Sequence, residues 1–321
     1  MNLSIIIPIK INYNVNLFDF VKYINELSQQ LEEYKYEIII ADESKDDVFN
    51  YIETKTQNLD KLKHLRPDSI YRTGNNDKLN GIFAALKYSE YDKILLVDDH
   101  YRVSKSTLIN LVPLYDTYDC FKMMPKFQHF PVSVLIDLCG MYVVNLIDPK
   151  KQYCGHLCFK KTCIEKYGFP NRNSLFDELA IEMHIKKHRC TVGYIRNVSL
   201  EAVQNISMKK FWEQRVRYAY ENMAFPTRFV FSLLILPGIF LLSILNFKIA
   251  LLIILFLSII ITAVAGMGQL LYGKNISPWY TFLFAPMWFW FYPITSWIAV
   301  VKYFTGGVMF GGNKIKNALV K

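Results

Sequence analysis

The chain has 321 residues, of which 52% are hydrophobic and 20% charged, so it is not intrinsically disordered and is long enough for two domains. Its net charge of +9 is unevenly spread. From Phe229 onward there are six Lys and no Asp or Glu, whereas the first 228 residues balance at only +3. A nucleic-acid-binding stripe would concentrate its cations on a polar domain, and none does so here. Six cysteines in an α/β sequence read as reduced thiols rather than as a disulfide framework.

The opening MNLSIIIPIK has no basic stretch before its apolar run, and reads as a first β-strand over Leu3–Ile9 rather than as a secretory signal. Leu17, Phe20, Val21, Ile24, Leu27 and Leu31 then recur at helical spacing. Glu37–Ala41 and Lys93–Val97 are further continuous apolar runs, with a helical stretch near Gly81–Tyr88 between them. Strands alternating with helices predict a parallel sheet, whose ligands bind at the strands' carboxyl ends. Both runs lead directly into acids, Asp42-Glu43 and Asp98-Asp99.

Phe130–Ile147 is apolar but holds Asp137 and Asn145, and is expected to lie on or dip into a bilayer. Ser207–Met223 interleaves Lys209, Lys210, Arg215 and Arg217 with Phe211, Trp212, Tyr218 and Tyr220, the pattern of an amphipathic helix at lipid headgroups; a helix packed on the domain is the alternative. Phe229–Phe247, Ile249–Tyr272 and Trp279–Val301 are each long and apolar enough to span a membrane. The third is broken by Pro286 and Pro293; three full spans are expected, with a fold-back at those prolines as the alternative. The expected organisation is an α/β domain over 1–206, an interfacial helix over 207–228 and a membrane module over 229–321.

Several polar groups could carry chemistry. Asp98-Asp99-His100 follows a buried strand, where acids can hold a hard divalent cation or simply end the strand. Asp42 and Asp46 could hydrogen-bond a nucleotide, or form a polar loop before a helix. Lys78, in Asn76-Asp77-Lys78-Leu79-Asn80, stands where a diphosphate could approach a helix start. Asp177-Glu178 offers a carboxylate for general base catalysis, though Ser174 to Asp177 also has the spacing of a capping box. His156 is next in line as a proton acceptor. Gln214 and Arg217 lie three apart, on one helical face. Cys154, Cys158 and Cys163 with His156 lack the spacing of a zinc knuckle.

Taken in order, SIIIPIK, YEIIIADESKDD, NDKLNG, DDHYRVSKSTL, GHLCFKKTCIEKYGF, FDELAIEM and QRVRY resemble the family 2 glycosyltransferases, and within them the ceramide glucosyltransferase-like branch. The resemblance covers roughly residues 3–223. It implies a GT-A fold (Rossmann-like) that binds a UDP-sugar, a divalent cation (Mn or Mg), and inversion at the anomeric carbon. It assigns Asp42 and Asp46 to the nucleotide, Lys78 to the phosphates, and Asp98 with His100 to the metal. Asp177 or Glu178 becomes the base, with a lean to Asp177, and Gln214, Arg217 and Tyr218 hold the diphosphate or close the site. The chain departs from the pattern at His100, which replaces an acid, at Tyr218, which replaces Trp, and in lacking the branch's leading anchor. The expected protein is an integral membrane hexosyltransferase with a cytoplasmic catalytic domain and a lipid or lipid-linked acceptor, and no nucleic-acid partner. The alternatives are a processive polysaccharide synthase and a degenerate, membrane-tethered nucleotide-sugar sensor.

Overall fold

A computed structural model describes residues 2–12, 15–150, 155–203, 206–310 and 312–318. In chain order the elements begin with β1 (Leu3–Ile9), α1 (Val15–Gln30), β2 (Tyr36–Asp42), α2 (Asp46–Thr56), β3 (Leu62–Leu65), α3 (Asp77–Tyr88) and β4 (Lys93–Val97). A second group follows: β5 (Tyr101–Arg102), α4 (Lys105–Leu111), β6 (Cys120–Phe127), α5 (Val132–Ile147), β7 (His156–Lys160), α6 (Lys161–Tyr167), α7 (Asp177–Lys187) and β8 (Val192–Ala202). The chain ends with α8 (Met208–Glu221), α9 (Pro226–Leu245), α10 (Phe247–Gly268), α11 (Ala285–Phe304), β9 (Val308–Phe310) and β10 (Asn313–Ile315).

The first eight strands form one sheet in the order β3-β2-β1-β4-β7-β6-β8-β5. β1, β2, β3 and β4 are parallel; β7 runs antiparallel to both β4 and β6. β1 and β2 are buried over their whole length. Continuous Ile-rich runs suit such positions, because a parallel strand covered on both faces has no solvent side to keep polar. α1 and α2 pack on one face of the sheet through Phe20, Ile24, Val48 and Ile52. α3 and α7 cover the other through Leu79, Ile82, Ile181 and Ile185. Each such fully buried aliphatic side chain contributes about 1.5–3 kcal/mol. β2 and β4 flank β1 on opposite sides, so the chain changes direction there and opens a crevice at the carboxyl ends of β1 and β4.

Among the described residues three helices are long and apolar enough to cross a membrane: Pro226–Leu245, Phe247–Gly273 and Trp279–Phe304. The expected break in the third is absent at Pro293, through which α11 continues; Pro286 sits in its first turn, where its missing N–H costs nothing. The expected bilayer contact of Phe130–Ile147 is also replaced. Most of α5 is buried, because it packs between the sheet domain and α10 and α11. Its apolar sequence satisfies protein neighbours. Asp137, the acid inside it, pairs with Arg215 of α8 at 3.0 Å.

Candidate active site

Asn76 caps α3, its side chain accepting from the Leu79 N–H, which places Lys78 in the first helical turn beside the β4 carboxyl end. Its ammonium lies 2.5 Å from Asp98 Oδ1, 2.9 Å from Asp177 Oδ2 and 3.2 Å from Glu178 Oε1. The topology thus gathers four of the sequence candidates from three elements into one cluster. The capping-box alternative for Asp177 does not hold. Phe176 is the residue before α7 and makes no side-chain cap, while the Ser174 carbonyl accepts from Asn76 Nδ2. Asp177 and Glu178 therefore occupy the first turn with their side chains turned to Lys78.

Burial pushes the Asp177 carboxyl up to about 8, with the neighbouring Glu178 charge adding and Lys78 opposing. Burial also acts on Glu178, but Lys78 and Lys122 outweigh it and hold this carboxyl below its usual range. Asp98 is raised by burial despite Lys78. For Lys78, burial is overcome by Asp177, Asp98 and Glu178, which keep it charged. Burial and the neighbouring Glu178 charge make Asp177 the carboxyl of the three that most favours its protonated form.

The donors fit a hard divalent cation. One carboxylate oxygen from each of Asp98, Asp177 and Glu178 lies within 4.8 Å of the others. Lys78 already sits among them as a monovalent stand-in. His100 lines the same cleft but lies outside that cluster, with Nδ1 3.3 Å from Asp99 Oδ1.

The arginine motif on α8 reaches the same cleft. Tyr218 stacks on Phe176, with ring centroids 5.3 Å apart and planes 9° from parallel, directly before Asp177. Arg217 lies over the Phe310 ring of β9, and Gln214 lines the wall. Asp42 and Asp46 stand apart. Asp42 is wholly buried, accepting from the Ser44 N–H and sitting 3.0 Å from His64 Nε2; Asp46 is exposed and pairs with Arg66. His156 offers no base: Nε2 accepts from the Met123 N–H, and burial, with Lys122 adding, lowers the ring to about 3. Among the described residues the carboxylate trio is the only metal-competent group; Cys154 lies outside them.

Other cleft residues were not singled out from the sequence. Lys122, buried on β6, pairs with Glu182 of α7 at 2.8 Å, and Glu182 accepts from the Tyr194 hydroxyl. Glu221 and Arg228 also line the cleft, Glu221 being pushed up to about 7 by burial. A charged residue inside the apolar run CFKMMPKF is the one signal the sequence offered for Lys122. The whole cleft encloses about 1910 Å³. It runs from Lys10 and the Lys78 cluster to Arg228 of α9 and Trp288 and Tyr292 of α11.

No protein-family model and no curated protein matches this chain. Solved structures do. TarS 1–349 from S. aureus is similar at 18% identity over 68% of this chain, with a TM-score of 0.45; the match spans 64% of that chain. The mannosyltransferase PcManGT from Pyrobaculum calidifontis, in complex with GDP-Man and manganese, is similar at 14% identity over 96% of this chain and 76% of its own, with a TM-score of 0.49. The glucosyl-3-phosphoglycerate synthase from Mycobacterium tuberculosis, with manganese, uridine diphosphate and phosphoglyceric acid, is similar at 12% identity over 65% and 72%, with a TM-score of 0.46.

Proposed function

We propose that this chain is a membrane-bound inverting glycosyltransferase of family 2, on the ceramide glucosyltransferase-like line. In this reading it moves a hexose from a nucleotide sugar, a UDP-hexose, to the hydroxyl of a lipid or lipid-linked acceptor. One observation carries the reading: a single cleft joins the Lys78 cluster at the sheet's carboxyl edge to Arg228, Trp288 and Tyr292 on the apolar helices. At about 1910 Å³ it exceeds the roughly 300–1,000 Å³ of a one-ligand site, so two substrates can meet in it.

The donor diphosphate lies toward Lys78, Gln214 and Arg217, and the acceptor enters from the apolar end. Asp177, in its ionised form, takes the acceptor's hydroxyl proton while that oxygen bonds to C1 from the face opposite the diphosphate. The bond from C1 to the diphosphate oxygen breaks, and its electron pair leaves with the nucleoside diphosphate. Lys78 and Arg217 stabilise the charge that builds there. Asp98 and Glu178, the two carboxylates less suited to accept a proton, would hold a divalent cation, which supplies further charge neutralisation to the leaving group. Tyr218, stacked on Phe176, fixes the approach to Asp177. The division of the chain into a catalytic domain, an interfacial helix and a membrane module belongs to this proposal, as does the cytoplasmic placement of the catalytic domain.

The test is nucleoside diphosphate release by the purified full chain, with manganese, a panel of UDP- and GDP-sugars, and the host's lipid extract. Lipid-dependent release with one sugar added to a lipid product supports the reading. Long products would indicate a polysaccharide synthase instead. Donor binding with no release under any combination would indicate a sensor.

A further inference from the structure

The chain returns to the α/β domain twice after leaving it. α9 begins beside that domain, with Phe229 buried next to Tyr220 of α8. α10 ends against it: the Tyr142 backbone of α5 occupies the space a Cβ on Gly268 would fill, and the Tyr142 hydroxyl donates to Ser277 at 2.7 Å. Gln269 braces this turn by donating to the Pro278 carbonyl and accepting from the Phe282 N–H. Arg196, from β8, lies over Tyr272. The second return is the C-terminal segment. The Ala318 carbonyl accepts from the Leu175 N–H, the Lys316 carbonyl from the Tyr220 hydroxyl, and Asn313 donates to Asp77 beside Lys78.

α11 therefore starts and finishes at the same domain. Its 20 residues measure about 30 Å, the thickness of a bilayer's hydrocarbon core, so a crossing helix would carry one of its ends that far away. Instead it follows the domain, and packs as well on α9 and α10, with Ser296 donating to Ser232, Trp297 to the Leu233 carbonyl and Trp290 to Ser258. Just before it, Cys139 of α5 donates to the Thr281 carbonyl; within it, Trp288 packs on Gly140, Phe291 meets Phe211 and Trp212, and Tyr303 meets Tyr220. The face away from the domain is a stripe of Met287, Ile294, Val301 and Phe304, exposed at helical spacing. α9 and α10 differ. Their hairpin tip, Leu245 to Phe247, stands clear of the domain, and their segments have mean hydropathies of 2.3 and 2.9 against 1.3 for the segment containing α11.

We propose that α9 and α10 alone cross the bilayer, as a hairpin, and that α11 lies in the plane of its surface beneath the α/β domain with the stripe toward the lipid. This rests on the membrane reading above and departs from the expectation of three spans. Lys274, Lys302, Lys314 and Lys316 then stay on the α/β side, and Lys248 at the hairpin tip is alone across among the described lysines after Phe229. That asymmetry satisfies the positive-inside tendency, which three spans would oppose at the C-terminal tail. It also keeps the β9–β10 hairpin in the compartment of the site it helps to wall.

The experiment is labelling of Lys248→Cys, Lys274→Cys and Lys314→Cys full chains in intact cells with a membrane-impermeant maleimide, before and after permeabilisation. All the native cysteines precede α9 in sequence, on the α/β side. Outside labelling of Lys248→Cys, with the other two reached only after permeabilisation, is expected. Outside labelling of Lys314→Cys or Lys274→Cys overturns the in-plane helix while leaving membrane insertion intact. If Lys248→Cys is protected and alkaline carbonate strips the protein from membranes, the membrane reading fails, and this proposal with it.

Discussion

Asp177→Asn is the most informative single change, because the structure separates its effects on catalysis and on stability. The amide keeps the size of the carboxyl but cannot accept a proton, so single-turnover transfer should fall about 10²–10⁴-fold, equivalent to about 2.7–5.4 kcal/mol of barrier. Donor affinity should hold, since Lys78 keeps Asp98 and Glu178 as partners. Stability should rise at neutral pH, because the parent must take up a proton there on folding and the amide need not. No cap is lost, and burial of the Asp177 carboxyl favours its protonated form. The folded value lies above the ordinary one, so its contribution to stability is full below about pH 4 and is lost as pH rises through about 8. Parent protein without metal should thus melt earlier at pH 9 than at pH 6, and Asp177→Asn should flatten that slope. The assays are rapid-quench transfer and thermal melts in detergent across pH. Parent-like transfer by Asp177→Asn refutes the assignment. If Glu178→Gln alone abolishes transfer with donor and manganese affinities unchanged, the two carboxylates have exchanged roles.

Four further outcomes follow from the same geometry. Lys78→Met should tighten manganese binding in the absence of donor by about tenfold or more at pH 8, as about 1.4 kcal/mol of competition is removed; unchanged affinity by calorimetry would show that the ammonium does not stand in the cation's place. Asp137→Ala removes the half-buried carboxylate that pairs with Arg215 and should cost about 1.5–3 kcal/mol, read as a lowered melting temperature. Tyr218→Trp should preserve the stack on Phe176 and the activity, whereas Tyr218→Ala loses about 0.5–1.5 kcal/mol of ring contact and slows transfer; equal kinetics for the two would dismiss a positioning role. Burial raises Glu221 to about 7, so Glu221→Gln should reduce the fall in stability between about pH 4.5 and 7, measured by melts against the parent.

Period and composition carried much of the fold. Unbroken Ile runs at Leu3–Ile9 and Glu37–Ala41 read as strands covered on both faces, and the acids after Val97 marked the edge where the carboxylate cluster gathers. The three apolar segments were legible for the same reason, because hydropathy is a property of local sequence. What periodicity does not contain is which element lies beside which. Phe130–Ile147 and the segment containing α11 have the composition of lipid-facing helices, but a buried protein helix is apolar too. The tertiary contacts decide between the two environments: α5 is enclosed, while α11 has one face on the domain and the other exposed. The carboxylate cluster divides in the same way. Its residue types stood in the sequence, but Lys78 and Glu178 are a hundred residues apart, and only the packing of α3 and α7 on one face of the sheet makes them touch. Asp42 shows the converse. It follows its strand as a nucleotide ligand would, yet the turn to Ser44 and the neighbouring His64 take up its oxygens, because a buried carboxylate binds the nearest donors that the fold supplies.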